Sequence, residues 1–140
     1  MNHATGPQAA DVESQYHAEF AMGAHSARHL RRVLRLYLVR SGLREVADAA
    51  ELALTELVAN VVRHVPGRRC RVCFLLYPGG VRVEVADDCP QLPVAVAVAA
   101  DALGEGGRGL VVVGAVTDRW GVTAYADGRG KTVWFECGRG

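Results

Sequence analysis

The sequence predicts an α+β domain, a two-layer α/β sandwich whose mixed, mostly antiparallel sheet carries helices on one face. Three observations predict it. Residues 26–40 and 51–65 repeat apolar side chains at three- and four-residue spacing, the period of a helix with one buried stripe. Four later runs, 70–77, 81–85, 120–125 and 132–137, read as strands and join in pairs through glycine-rich connections, the sign of two hairpins. Two helices, a hairpin, a glycine loop leading into a helix and a final hairpin make a segregated layer order rather than repeated βαβ units.

The chain has 140 residues, half of them hydrophobic, which suits one domain with a single well-filled core. Its formal charge of +1 gives no support to nucleic-acid binding, which needs a strong basic bias. The apolar runs are too short and interrupted to span a bilayer, and the start lacks a signal-peptide pattern, so a cytoplasmic protein is expected.

In chain order, residues 1–16 are polar and aperiodic and are expected to form a disordered tail, leaving 17–140 as the domain. His17 to Met22 reads as a short edge strand before a turn at Gly23. The helix from Ser26 to Arg40 has Ser26 as its expected N-cap and Gly42 as its stop, with Leu30, Val33, Leu34, Tyr37 and Leu38 along its apolar stripe. Arg28, Arg31, Arg32, Arg35 and Arg40 make it basic, which suits either a solvated face or a dock for an acidic partner.

The second helix, ELALTELVANVVRHV, buries Leu54, Leu57, Val58, Val61 and Val65. Glu56, Asn60 and His64 follow one another at four-residue intervals, each roughly 40° further round at about 100° per residue. They form a row drifting from the polar side to the edge of the apolar stripe. That row is a candidate site, and an ordinary polar helix face is the alternative.

Pro66 and Gly67 end this helix, and Pro78-Gly79-Gly80 turns the first hairpin. In its second strand Val81, Val83 and Val85 share a face, and the alternation places Asp87 inward at the strand's end. A buried carboxylate needs a hydrogen-bonding partner, so Asp87 is a second candidate, with capping of the next turn as the alternative. Cys70 and Cys73 form a C-x-x-C, but three residues apart on a strand they face opposite ways and cannot share a metal. With Cys89 and Cys137 they are expected to be reduced, small apolar side chains.

Residues 89–103 read as a loop with a short helix, and 104–109 as a glycine loop before a helix. Such a loop can hold phosphate on backbone N–H groups, or be a flexible surface loop. Gly104-x-Gly106-x-x-Gly109 lacks the preceding strand of a dinucleotide-binding unit, and Gly130-Lys131-Thr132 lacks the earlier glycine and the helix of a P-loop.

Taken together, ELVANVVRH, VEVADD, GRGL, DRWG and GKTVWFE resemble the histidine-kinase/Hsp90-like (GHKL) ATPase fold, known as the Bergerat fold. They are most similar to the single-domain ATP-binding regulatory proteins of actinobacteria related to anti-sigma-factor serine/threonine kinases. The resemblance runs from about Glu19 to Cys137 with the motifs in family order. It implies ATP and magnesium (Mg2+) as cofactors. Glu56 would be the general base and Asn60 the magnesium ligand beside the phosphates, with Arg63 and His64 contacting phosphate. Asp87 would accept from the adenine amino group. Gly107, Arg108, Gly109 and Leu110 would close over the phosphates, and Thr132 would lie near the adenine-binding aspartate.

The implied activity is transfer of the ATP γ-phosphoryl to Ser or Thr of an antagonist protein. The implied partner is a protein such as an anti-sigma-factor antagonist or a sigma factor, with no direct nucleic acid or membrane contact and a homodimer left open. One motif departs from the family. Where D-x-G-x-G is usual, the chain has Asp87-Asp88-Cys89-Pro90-Gln91, and the two missing glycines bring side chains towards the base. A non-catalytic, nucleotide-responsive binding module with a degenerate ATP site is the reading from another class.

Overall fold

The computed structural model describes residues 11–90 and 105–139, the side chains of 105–109 excepted. Residues 1–10 of the expected tail, most of the 89–103 loop and Gly104 lie outside the described residues.

The chain runs β1 (Ser14–Ala21), α1 (Ser26–Arg40), α2 (Ala47–His64), β2 (Arg69–Tyr77), β3 (Gly80–Asp87), α3 (Glu105–Val116), β4 (Arg119–Ala124) and β5 (Lys131–Gly138). The five strands form one sheet in the order β1-β2-β3-β5-β4. Every neighbouring pair is antiparallel, so the sheet is not mixed. The edge strand begins at Ser14 rather than His17, because β2 offers a partner for each residue from Ser14 to Ala21. A polar strand of this kind shows no apolar run, and its pairing is set by its neighbour.

Helix α1 buries Leu30, Leu34 and Leu38 in one four-residue row, each worth about 1.5–3 kcal/mol of apolar transfer. Its start differs from expectation. His25 holds the cap position, and the Ser26 hydroxyl accepts from the Gly23 N–H at 2.8 Å. Its end is as expected: Gly42 has φ +74°, and the Leu43 N–H reaches the Leu38 carbonyl while the Gly42 N–H reaches that of Val39. These are the two bonds of a Schellman stop. Part of the arginine row braces α1 to α2: Arg35 pairs with Asp48 and Glu51, and Arg31 donates to the Thr55 hydroxyl.

Helix α2 is the hub of the helix layer, touching α1, α3, β3 and β5. Its Ala47, Ala50, Ala53, Leu54, Leu57 and Val61 are buried against them. The sheet supplies Val72, Phe74, Leu76, Val81, Val83, Val85, Val133 and Phe135 to the same core. The alternate residues of each strand face away from the helices, as strand geometry requires. Cys70 is accordingly buried and Cys73 lies on the other side, and all four cysteines are free thiols. No helix among the described residues is long and apolar enough to cross a membrane.

Candidate functional site

Strand β3 carries its valine face to the end, so Asp87 follows Val81, Val83 and Val85 onto the helix side, where it is 2 % exposed. Its direct partner across the antiparallel pair is Lys131, the first residue of β5, which is also buried. The Lys131 ammonium donates to Asp87 Oδ1 at 2.9 Å and to the Cys89 carbonyl at 3.0 Å. The same Oδ1 accepts the Cys89 N–H at 2.8 Å. Gly130 permits this approach, because a Cβ there would collide with the Asp87 carbonyl oxygen and come within 2.9 Å of Asp88 Cα.

Asp87 and Lys131 form one wall of a cleft whose opposite wall is α2. Asn60 and His64 point into it from the helix, above apolar sides formed by Leu57, Val85 and Val133. Its free volume is about 20 Å³, room for about one water. Three atoms at this border, Asn60 Oδ1, Asn60 Nδ2 and His64 Nε2, are buried without a hydrogen-bond partner among the described residues. Each such orphan costs about 1–3 kcal/mol, a cost that a polar ligand would remove.

Asn60, His64 and Asp87 are therefore brought together as the sequence suggests. Other expected residues lie elsewhere. Glu56 is half-buried on α2 and is not part of the cleft lining. Arg63 is exposed in the last turn of α2. Thr132 points to the opposite side of the sheet, since it pairs with Ala86 while its neighbours Lys131 and Val133 face the helices. The expected glycine loop is helical from Glu105, so Gly107, Arg108 and Gly109 fall in the first turns of α3. Leu110 is a core residue, 1 % exposed, rather than part of a lid. Helix pairing with α2 stabilises a glycine-rich turn that intrinsic propensity disfavours.

Lys131 and Gly130 were missed. The signal was present: Val133, Phe135 and Cys137 are apolar at alternate positions, which places Lys131 inward and Thr132 outward by the argument that located Asp87.

The profile of the histidine kinase-like ATPase domain matches residues 20–137. The chain belongs to this family. No curated protein matches it in sequence. Among solved structures it is similar in fold to a chain in the crystal structure of the SiaB–SiaC complex from Pseudomonas aeruginosa, with a TM-score of 0.61 at 11 % identity over 91 % of this chain and 89 % of that one. The cleft lies where α2 passes the end of β3 and the start of β5. Among the described residues no group of three or more His, Cys, Asp or Glu side chains could hold a metal by itself.

Proposed function

We propose that this protein is an ATP-binding regulatory protein that transfers the γ-phosphoryl of Mg-ATP to a Ser or Thr of an antagonist protein. The observation that carries the nucleotide reading is the cleft itself, with a buried carboxylate at one wall and a partnerless amide and imidazole at the other. Asp87 would take the base, and Asn60 and His64 the phosphate end. Arg63 and the backbone of Gly107, Arg108 and Gly109 would approach the phosphates. The Asn60 amide oxygen is a hard donor without a partner, which fits magnesium, an ion that keeps several waters and leans on substrate phosphates. When bound, the ion would neutralise phosphate charge. Glu56 would turn towards the cleft to orient the attacking hydroxyl, the main protein contribution to a reaction governed by positioning and charge.

That the fold neighbour occurs in a two-protein complex supports a protein partner here. Calorimetry with Mg-ATP is the test. Wild type is expected to bind and Asp87→Asn to lose binding, whereas no binding by wild type at millimolar nucleotide overturns the reading. The kinase step is tested with Glu56→Gln, which should retain ATP and lose labelling of the antagonist protein by about 10²–10⁴-fold. A second reading, a non-catalytic module whose nucleotide occupancy switches a protein contact, is favoured by one observation: Glu56 does not line the cleft. In that case Glu56→Gln leaves partner affinity and its nucleotide dependence unchanged, and no labelling is seen with wild type.

A further inference from the structure

Lys131 is buried inside the cleft wall, yet none of the roles above uses it. We propose that Lys131 determines base specificity, donating to N1 of adenine while the Asp87 Oδ2 atom accepts from the N6 amino group. This inference rests on the nucleotide reading of the cleft.

A lysine ammonium has three N–H donors. Lys131 spends one on Asp87 Oδ1 and one on the Cys89 carbonyl, which leaves one. Asp87 Oδ1 accepts from Lys131 and from the Cys89 N–H, while no described group donates to Oδ2. The pair thus presents one free acceptor beside one free donor. Adenine offers the complement on one edge, an N6–H beside the N1 lone pair. Guanine in the same pose sets its O6 acceptor against the carboxylate, and like polarity disfavours it.

The competing picture is that Lys131 plugs the position adenine needs. Displacement would strand a carboxylate 3 % exposed and remove the partner of an ammonium 5 % exposed. Breaking such a pair costs more than one neutral hydrogen bond returns, so the pair stays and the base uses what it leaves free. Geometry agrees. Asp87 and Lys131 are register partners on adjacent strands, held together by the close approach at Gly130. They are the fixed wall, and a base enters the water-sized cleft by widening its apolar helix side.

The test is calorimetry of wild type and Lys131→Met with Mg-ATP, Mg-GTP and 1-deaza-ATP, in which a C–H replaces N1. Wild type is expected to prefer ATP over 1-deaza-ATP by about 10- to 100-fold, the worth of one charge-assisted hydrogen bond. In Lys131→Met that preference should vanish and ATP binding should weaken by a similar factor. Equal binding of ATP and 1-deaza-ATP by wild type, GTP bound as well as ATP, or tighter ATP binding by Lys131→Met would each overturn the proposal. If circular dichroism shows Lys131→Met unfolded, the analogue comparison on wild type decides alone. Failure of wild type to bind any of the three nucleotides is a different outcome, which overturns the nucleotide reading and this inference with it.

Discussion

Strands β3 and β5 carry a buried ion pair on each side of the sheet, and the two are built differently. On the helix side, Asp87 and Lys131 leave an acceptor and a donor unused and face a cleft. On the other side, Glu136 is only 4 % exposed although no helix among the described elements packs there. Both oxygens of its carboxylate are engaged: Oε2 accepts from Arg82 at 2.8 Å, and Oε1 accepts from Arg119. Arg82 also donates to Glu84 at 2.8 Å and lies 4.1 Å above the Trp134 ring. That ring in turn rests on Gly121, where a Cβ would come within 2.7 Å of it. The difference separates a site from a brace. A network in which both oxygens of the buried carboxylate meet a guanidinium stiffens a sheet, whereas one that leaves an oxygen and an N–H free beside a cleft can recognise a ligand.

The largest expected effect tests the helix side. Asp87→Ala strands the Lys131 ammonium and should cost about 3–5 kcal/mol in denaturant unfolding, and a loss under about 1 kcal/mol would mean that water already reaches the pair. Glu136→Gln on the brace should cost less, about 1–3 kcal/mol, since Arg119 is 48 % exposed and turns to solvent. It should also leave Mg-ATP affinity unchanged, and a drop in affinity would erase the distinction between the two sides. Removing Arg35, whose partner Asp48 is 99 % exposed, gives the surface control: Arg35→Ala should move the denaturant midpoint less than either buried-pair variant.

The last effect is nil at neutral pH, appears only in alkali and concerns thiols on both sides of the sheet. Burial pushes Cys70 and Cys137 up from 9.0 to about 11 and about 12, helped by the Asp87 charge for the first and Asp118 for the second. Burial likewise raises Cys73 on the other side to about 11, with Glu84 adding to it. A folded thiol that holds its proton longer than an unfolded one stabilises the fold fully below about pH 9. That stabilisation falls as pH rises towards 11–12. The denaturant midpoint should therefore be flat from pH 7 to 8.5 and decline above pH 9, less steeply in Cys137→Ala. A midpoint independent of pH up to 11 would contradict the burial of these thiols.

Periodicity alone determined the two long helices, the antiparallel hairpins, the opposite faces of Cys70 and Cys73 and the inward Asp87, because side-chain direction follows directly from a period of 3.6 or 2. The set of short motifs identified the family, and the profile match over residues 20–137 agrees. Which atoms lie free and which are engaged was decided by tertiary structure. The alternation of β5 turns Lys131 inward and Thr132 outward, but no local pattern ties Lys131 to Asp87, 44 positions earlier, since that pairing depends on the register of β3 against β5. The glycine run from Glu105 is helical because α2 offers it a packing surface, against its intrinsic preference. Glu136, a charged residue in an exposed-looking strand position, is buried beside Arg82 and Arg119 from the two neighbouring strands. Sequence fixes where each side chain points from its own backbone, but long-range pairing determines what it meets there.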